Sequence, residues 1–155
     1  SVNWVRKNFT QAFAWYENDF LILHPQYGIL VLEVKGGIIS CENGLIHQKN
    51  SITQQENVLD EGNDPLSQAK RGKFYFRNLL YKKMNIRNRI LIEPMIWFPG
   101  CLVHFESLPY NYQDISFAIL DGADLSENAS NRLKDKIRKE KIKESLKETE
   151  VKEIL

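Results

Sequence analysis

Cysteine is scarce in this chain: two residues in 155, Cys41 and Cys101, far apart and in no paired spacing. Neither a disulfide framework nor a zinc site is expected, and the two thiols read as isolated cysteines of a cytoplasmic protein. Histidine is scarce too, and His24, His47 and His104 show no metal-ligand spacing. Charge of one sign is not in excess. With 21 basic and 20 acidic residues the net charge is +1, so there is no global pull toward nucleic acid or a membrane, and any electrostatic partner site must be a local patch. No apolar run reaches the roughly 18 residues of a spanning helix, so no membrane partner is expected. No glycine-rich phosphate cradle is present, which argues against an ATPase. What is present is a hydrophobic content of 43%, ordinary for one domain with a real core.

The strongest strand signals are "DFLILH" (19–24) and "ILVLEVK" (29–35), both apolar on both faces and joined by "PQYG". Two-sided apolarity predicts a central pair covered by other elements. "VNWVRK" (2–7) reads as a short strand, and "QAFAWYEN" after it as a loop or irregular strand. "GIISCENGLIHQ" (37–48) reads as a hairpin turning at Asn43-Gly44. Residues 49–64 are polar and read as a loop. Asp64-Pro65 is a helix start, an N-cap followed by proline in the first turn. The helix should run over 65–84, with Leu66, Ala69, Phe76, Leu79, Leu80 and Met84 on its apolar side. "RILIEPMIWFP" (89–99) is a strand region whose Pro94 predicts an edge position or a bulge. "DISFAILD" (114–121) is a last strand candidate.

Glu33 and Lys35 interrupt the apolar run at the end of its strand. Residues two apart in a strand share a face, and a buried charge is costly unless it is paired or binds a metal. One reading is mutual neutralisation at a sheet edge. Asp19 supports another. If Gln26-Tyr27-Gly28 forms a three-residue hairpin loop, Asp19 faces Lys35, and Asp19, Glu33 and Lys35 lie on one face. A slip of one residue would send Asp19 to the other face. Two carboxylates and an ammonium can bind a divalent cation and position a water for phosphodiester cleavage. Oxygen ligands favour Mg²⁺ or Mn²⁺ over zinc.

Asp19 followed by "EVK" at 33–35 resembles the PD-(D/E)XK nuclease signature. The series "DFLILHPQYGILVLEVKGG" and "DPLSQAKRG" resembles the nuclease-related domain (NERD) branch of that superfamily, with "DP" where "NP" is common. The likeness covers roughly residues 15–100. It implies a mixed α/β, restriction-endonuclease-like core sheet flanked by helices. It also implies a Mg²⁺-dependent (or Mn²⁺-dependent) DNA endonuclease, a module of a larger bacterial DNA-processing or defence protein. Asp19 and Glu33 would hold the metal with the carbonyl of Val34, Lys35 would act on the attacking water and the phosphate, and Gln68 would sit beside the metal. Glu17 is an outer-shell candidate or simply exposed. The superfamily core opens with a helix, whereas this chain begins at what reads as the first strand, so that helix is expected to be missing from it. Relatives are often fused to helicase or kinase-like domains, which makes a fused or associated helicase-type module an expected partner beside DNA. The alternative is a non-catalytic nucleic-acid-binding or assembly module that retains the nuclease fold.

Between Pro65 and Ile92 the chain carries Lys70, Arg71, Lys73, Arg77, Lys82, Lys83, Arg87 and Arg89 and no acid. Such a run can be a solvated helix face. Following Gln68 on one helix, Lys70, Arg71, Lys73 and Arg77 are candidates for the phosphate backbone. Residues 1–124 then form the nuclease-related domain. Residues 125–155, dense in Lys, Arg and Glu, form a charged helical extension or linker.

Overall fold

The computed structural model describes residues 2–7, 13–24, 28–60, 62–84, 90–113, 118–125 and 147–154. Strands β1 (Val2–Lys7) and β2 (Phe13–Asn18) form an antiparallel pair. Strands β3 (Phe20–His24), β4 (Gly28–Val34), β8 (Ile92–Trp97) and β9 (Ile119–Leu120) form a mixed sheet in the order β3-β4-β8-β9. Strands β5 (Ile38–Glu42), β6 (Leu45–Lys49) and β7 (Glu56–Leu59) form an antiparallel three-stranded arm. The long helix is α1 (Pro65–Met84); α2 (Tyr110–Gln113) and α3 (Glu148–Ile154) are short. The chain is thus a mixed α/β protein, with helix packed on a mixed sheet.

Helix α1 follows its predicted bounds. The carboxylate of Asp64 accepts from the Ser67 amide at 2.8 Å and caps the first turn. Phe76 and Leu80 bury against Ile29, Val31 and Ile92 on one face of the sheet, and Val151 of α3 packs on the same cluster. On the other face Leu30 and Leu32 meet Met95 and Leu120. This two-sided burial explains why β4 reads as continuously apolar. A third cluster joins Ile46 and Leu59 of the arm to Leu66, Ile96 and Tyr112.

Several expectations need correction. The strand β3 is not central: among the described residues it is the edge of its sheet. Residues 49–64 are not all loop, because Glu56–Leu59 pairs with β6 as β7. Pro94 is not on an edge strand; it lies in β8, between β4 and β9. The ladder explains how. Ile29 N donates to Leu91 O and Lys35 N to Trp97 O, so along β8 the odd-numbered residues bond to β4. Pro94 therefore turns its nitrogen away from β4, toward the side where pairing with β9 begins only at Ile96. Among the described residues no ladder hydrogen bond is lost. Among the described residues the "VNWVRK" strand pairs with β2 alone and is not part of the four-stranded sheet.

The β3–β4 register also differs. Leu23 faces Ile29 and Phe20 faces Leu32, so the pairing is shifted by two residues from the expected one. A shift of two preserves the face. Gly28 does adopt a left-handed conformation, φ 90°, but inside the ladder opposite His24. A side chain there would also strike Leu91, whose Cβ lies 3.0 Å from the position of an added Cβ. The turn residues Gln26 and Tyr27 lie outside the described residues, as do Arg87, Arg89, the first half of "DISFAILD" and residues 126–146. At the other hairpin, Asn43 (φ 52°) and Gly44 (φ 74°) are both left-handed, the two-residue turn that the pair predicts.

Candidate metal and phosphate site

The site lies where β4 leaves the sheet. Between β2 and β3 the chain bends at Asp19. In β4 the even-numbered backbone groups face β3, but β3 has no ladder residue opposite Val34. The Asp19 carboxylate takes that place and accepts from the Val34 amide at 2.7 Å. A strand residue's N–H and C=O point to the same side, so the Val34 carbonyl points toward Asp19 as well.

Glu33 is buried at 4% exposure. Its Oε1 meets Lys35 Nζ at 2.7 Å. Its Oε2 is 3.5 Å from Asn18 Nδ2. Burial raises the Glu33 carboxyl above the usual carboxylate range; Lys35 opposes this by hydrogen bond and charge, and Asp19 adds to it. A buried carboxylate pressed by a second one is better satisfied by a cation than by water.

Helix α1 closes the site. Asn18 Nδ2 also reaches Gln68 O, at 3.4 Å. The Gln68 Oε1 atom is buried and has no hydrogen-bond partner among the described residues. Such a buried acceptor, on the residue whose backbone carbonyl meets Asn18, is the kind of group a hard divalent ion could satisfy. Among the described residues no three His, Cys, Asp or Glu side chains group closely enough to hold an ion by themselves. A metal here would need the Val34 carbonyl and the Gln68 amide beside the two carboxylates.

Two residues that frame the site went unseen in the sequence. Asn18 is fully buried, and its neighbour on α1 is Gly72. A Cβ at Gly72 would overlap Asn18 and come within 2.7 Å of Val31 Cγ1. The available signal was a glycine inside an otherwise good helix, which marks a close approach. The second is Tyr112, at 1% exposure. Its hydroxyl donates to Asp64 Oδ1 and accepts from the Leu66 amide at 3.1 Å. Burial and the Asp64 charge push the Tyr112 phenol far up, so it stays protonated and can serve both bonds. The start of the helix that carries Gln68 is thereby fixed.

The basic candidates separate. Lys70 and Arg71 are exposed. Arg71 also donates to Gly62 O at 3.4 Å. Lys73 is held by both oxygens of Glu93, at 2.9 and 2.8 Å. Arg77 is half-buried and Lys82 exposed, while the side chains of Lys83 and Glu17 lie outside the described residues. His47 pairs with Glu56 at 2.8 Å, and Trp97 donates its indole N–H to Asp121 O. Cys41 and Cys101 are free thiols. Among the described residues no helix is long and apolar enough to cross a membrane.

A mixed α/β domain that gathers two carboxylates, an ammonium and a helix amide at one end of its sheet has the chemistry to handle a cation and a phosphate together. The family model of the nuclease-related domain (NERD) matches residues 5–99, more than half of the chain, and the protein belongs to that family. No match was found among curated proteins or among solved structures.

Proposed function

We propose that residues 1–124 are a metal-dependent nuclease domain that hydrolyses DNA phosphodiester bonds. In this reading β3, β4, β8 and α1 are the heart of a restriction-endonuclease-like core. Residues 125–155 are an extension leading to another module of a larger bacterial DNA-processing or defence protein. The observation that supports the proposal is the chain of contacts at this end of the sheet: Asp19 on the Val34 amide, Glu33 on Lys35 and Asn18, and Asn18 on the backbone of Gln68, with Asn18 Oδ1 and Gln68 Oε1 both buried and without a hydrogen-bond partner among the described residues.

Asp19, Glu33, the Val34 carbonyl and Gln68 would hold Mg²⁺ or Mn²⁺, which supplies charge neutralisation on the phosphate and a more acidic water. The chain's own residues do the rest. Asp19 is locked by the Val34 amide, so it is already in place before any ligand arrives. Lys35 has its ammonium on Glu33; turned from there toward a bound phosphate, it would orient the attacking water and stabilise charge on the phosphate. Lys70, Arg71 and Arg77 would approach the backbone of the duplex.

A second reading, a nucleic-acid-binding or assembly module without catalysis, draws on the same Lys35–Glu33 pair, which leaves the buried charge neutralised as it stands. Plasmid nicking with and without Mn²⁺, together with calorimetric Mn²⁺ titration, separates the two. Under the first, the parent nicks only with metal, Glu33→Gln weakens both metal binding and nicking, and Lys35→Ala binds metal but does not nick. Nicking by Lys35→Ala at the parent rate would reduce Lys35 to a structural charge. A parent that binds DNA but never nicks it would favour the second reading.

A further inference from the structure

The polar stretch after β6 is an ordered loop rather than a slack one. Asn50 Oδ1 accepts from the amides of Ile52 and Thr53, both at 2.9 Å. Asn50 N donates to Gln55 O at 2.8 Å, and Gln54 N to Asn50 O at 3.0 Å. Gln54 adopts φ 60°, and its side chain donates to Ser51 O at 2.9 Å. All these bonds tie residues 50–55 to each other. At their tip stands Ile52, 89% exposed, the most exposed of the large apolar side chains described. Turn tips favour glycine, asparagine and other polar residues, so a β-branched apolar side chain held out by this many bonds is out of place for folding alone.

Its location is specific. The arm starts at Gly36-Gly37, directly after Lys35. Strand β6 runs back along β5, so that Lys49 faces Ile38, and Gln48 Nε2 donates to Gly36 O at 2.8 Å. A Cβ on Gly37 would lie 3.7 Å from Asn50 Cα. The 50–55 loop therefore stands at the site end of the arm, while the Asn43-Gly44 turn is at the far end. The loop holds no charged residue, and the nearest acid, Glu56, is paired with His47. An uncharged tip lacks the ionic attraction that dominates phosphate binding. Its hydroxyls and amides suit the edges of bases, and its isoleucine suits the gap between them. Small apolar wedges flanked by hydrogen-bonding side chains are how proteins enter the minor groove and open a base step.

Resting on the nuclease reading above, we infer that the 50–55 loop is a duplex-engaging finger, with Ile52 entering the minor groove beside the phosphate held at Lys35. The substrate class is then double-stranded DNA rather than single strands.

Duplexes carrying 2-aminopurine at successive positions, bound in Ca²⁺ by the full chain, test it. The parent should brighten the probe at one step only, through unstacking. Ile52→Ser should abolish that signal and weaken duplex binding about tenfold, the loss of one buried apolar side chain. It should leave single-strand binding and the salt dependence of duplex binding unchanged, because no phosphate contact is removed. Ile52→Leu should restore the signal. Equal duplex affinity and no signal from either protein, with plasmid nicking by the parent intact, would overturn the finger and leave the nuclease reading standing. A parent that neither binds nor nicks DNA would overturn both. A concentration-dependent dimer abolished by Ile52→Ser, with DNA binding unaffected, would assign the tip to a second copy and overturn the finger as well.

Discussion

Gly72 of α1 lies against the side chain of Asn18, so close that no Cβ fits between them. The contact sets how near the helix comes to the sheet end. Through the bond from Asn18 Nδ2 to Gln68 O, it also sets where Gln68 stands relative to Glu33. A glycine in a helix interior costs about 1 kcal/mol relative to alanine, and the close approach is what it provides in return.

Gly72→Ala tests that trade. Helix propensity alone predicts a gain of about 1 kcal/mol. The overlap with Asn18 and Val31 predicts overpacking, typically about 1–3 kcal/mol. We expect overpacking to win, giving a net loss on the order of 1 kcal/mol in urea unfolding, with Mn²⁺ affinity lowered as Gln68 is displaced. The double variant Gly72→Ala with Asn18→Ala should recover only part of the stability, since the overlap with Val31 remains, and none of the metal affinity. A Gly72→Ala protein more stable than its parent would show that α1 can shift without cost.

Glu33 makes stability depend on pH in a direction that can be worked out. Burial raises its carboxyl in the folded protein above the ordinary value it keeps in the unfolded chain. Between those two values the folded state holds a proton that the unfolded state has released. The contribution of Glu33 to stability is therefore fully present below the ordinary carboxylate range, and is lost as pH rises through the raised value. In metal-free buffer the parent should lose melting temperature relative to Glu33→Gln over that window, so that at neutral pH the variant is as stable as the parent or more so. Saturating Mn²⁺ should reverse the order, because only the parent gains from binding. Thermal melts of both proteins across a pH series, with and without Mn²⁺, give all four curves. A constant gap between the two metal-free curves would mean that Glu33 is not perturbed.

How much of this was legible in the sequence differs by element. Helix α1 was, because Asp64-Pro65 and its apolar side are local signals, and the Asn43-Gly44 turn was for the same reason. Strand β7 was not: Glu56-Asn57-Val58-Leu59 buries only Leu59, so no alternation shows. Pro94 misled because its harmlessness depends on where β9 begins, which no local pattern states. The expected register was off by two residues, and the ladder ends at Phe20, so Asp19 meets β4 from the bend before β3, through its carboxylate on the Val34 amide, which no strand pattern states. Asn18 and Tyr112 escaped notice for a common reason. Neither residue type announces a site, and Tyr112 acts on Asp64 from 48 positions away.

That distant bond gives a third prediction. Tyr112→Phe removes a donor to Asp64 and leaves the buried Leu66 amide without its acceptor. An unsatisfied buried group costs about 1–3 kcal/mol. The loss should be accompanied by faster amide exchange in the first turn of α1, around Leu66 to Gln68. Asp64→Asn should be far milder, below about 1 kcal/mol, since asparagine caps as well as aspartate and still accepts from the phenol. Hydrogen exchange read by mass spectrometry, with urea unfolding alongside, separates a loosened helix start from a general loss of stability. Equal exchange in parent and Tyr112→Phe would remove Tyr112 from any part in placing Gln68.

The last prediction concerns the basic face of α1. A cation that contacts a phosphate releases counterions, and each lost contact flattens the slope of log affinity against log salt by about 0.9 for duplex DNA. Lys70 and Arg71 stand in solvent, and among the described residues Arg71 has a long bond to Gly62 O to give up. Each should lower the slope by that amount when changed to glutamine. Lys73 is different, because both oxygens of Glu93 hold it. To reach DNA it would have to leave a half-buried partner, so Lys73→Gln should leave the slope nearly unchanged. Its effect should appear in stability instead, at less than about 1 kcal/mol given how much water still reaches the pair. Arg77 lies one turn further from Gln68 than Lys73, and its neutralisation should matter less than that of Lys70 or Arg71. Fluorescence anisotropy over a salt series in Ca²⁺ gives the slopes. If Lys73→Gln flattened the slope as much as Lys70→Gln, the Glu93 pair would have to open on binding. If none of the four changed it, the run would be a solvated helix face, and the path of the DNA would have to be sought around Lys82 and the residues after it.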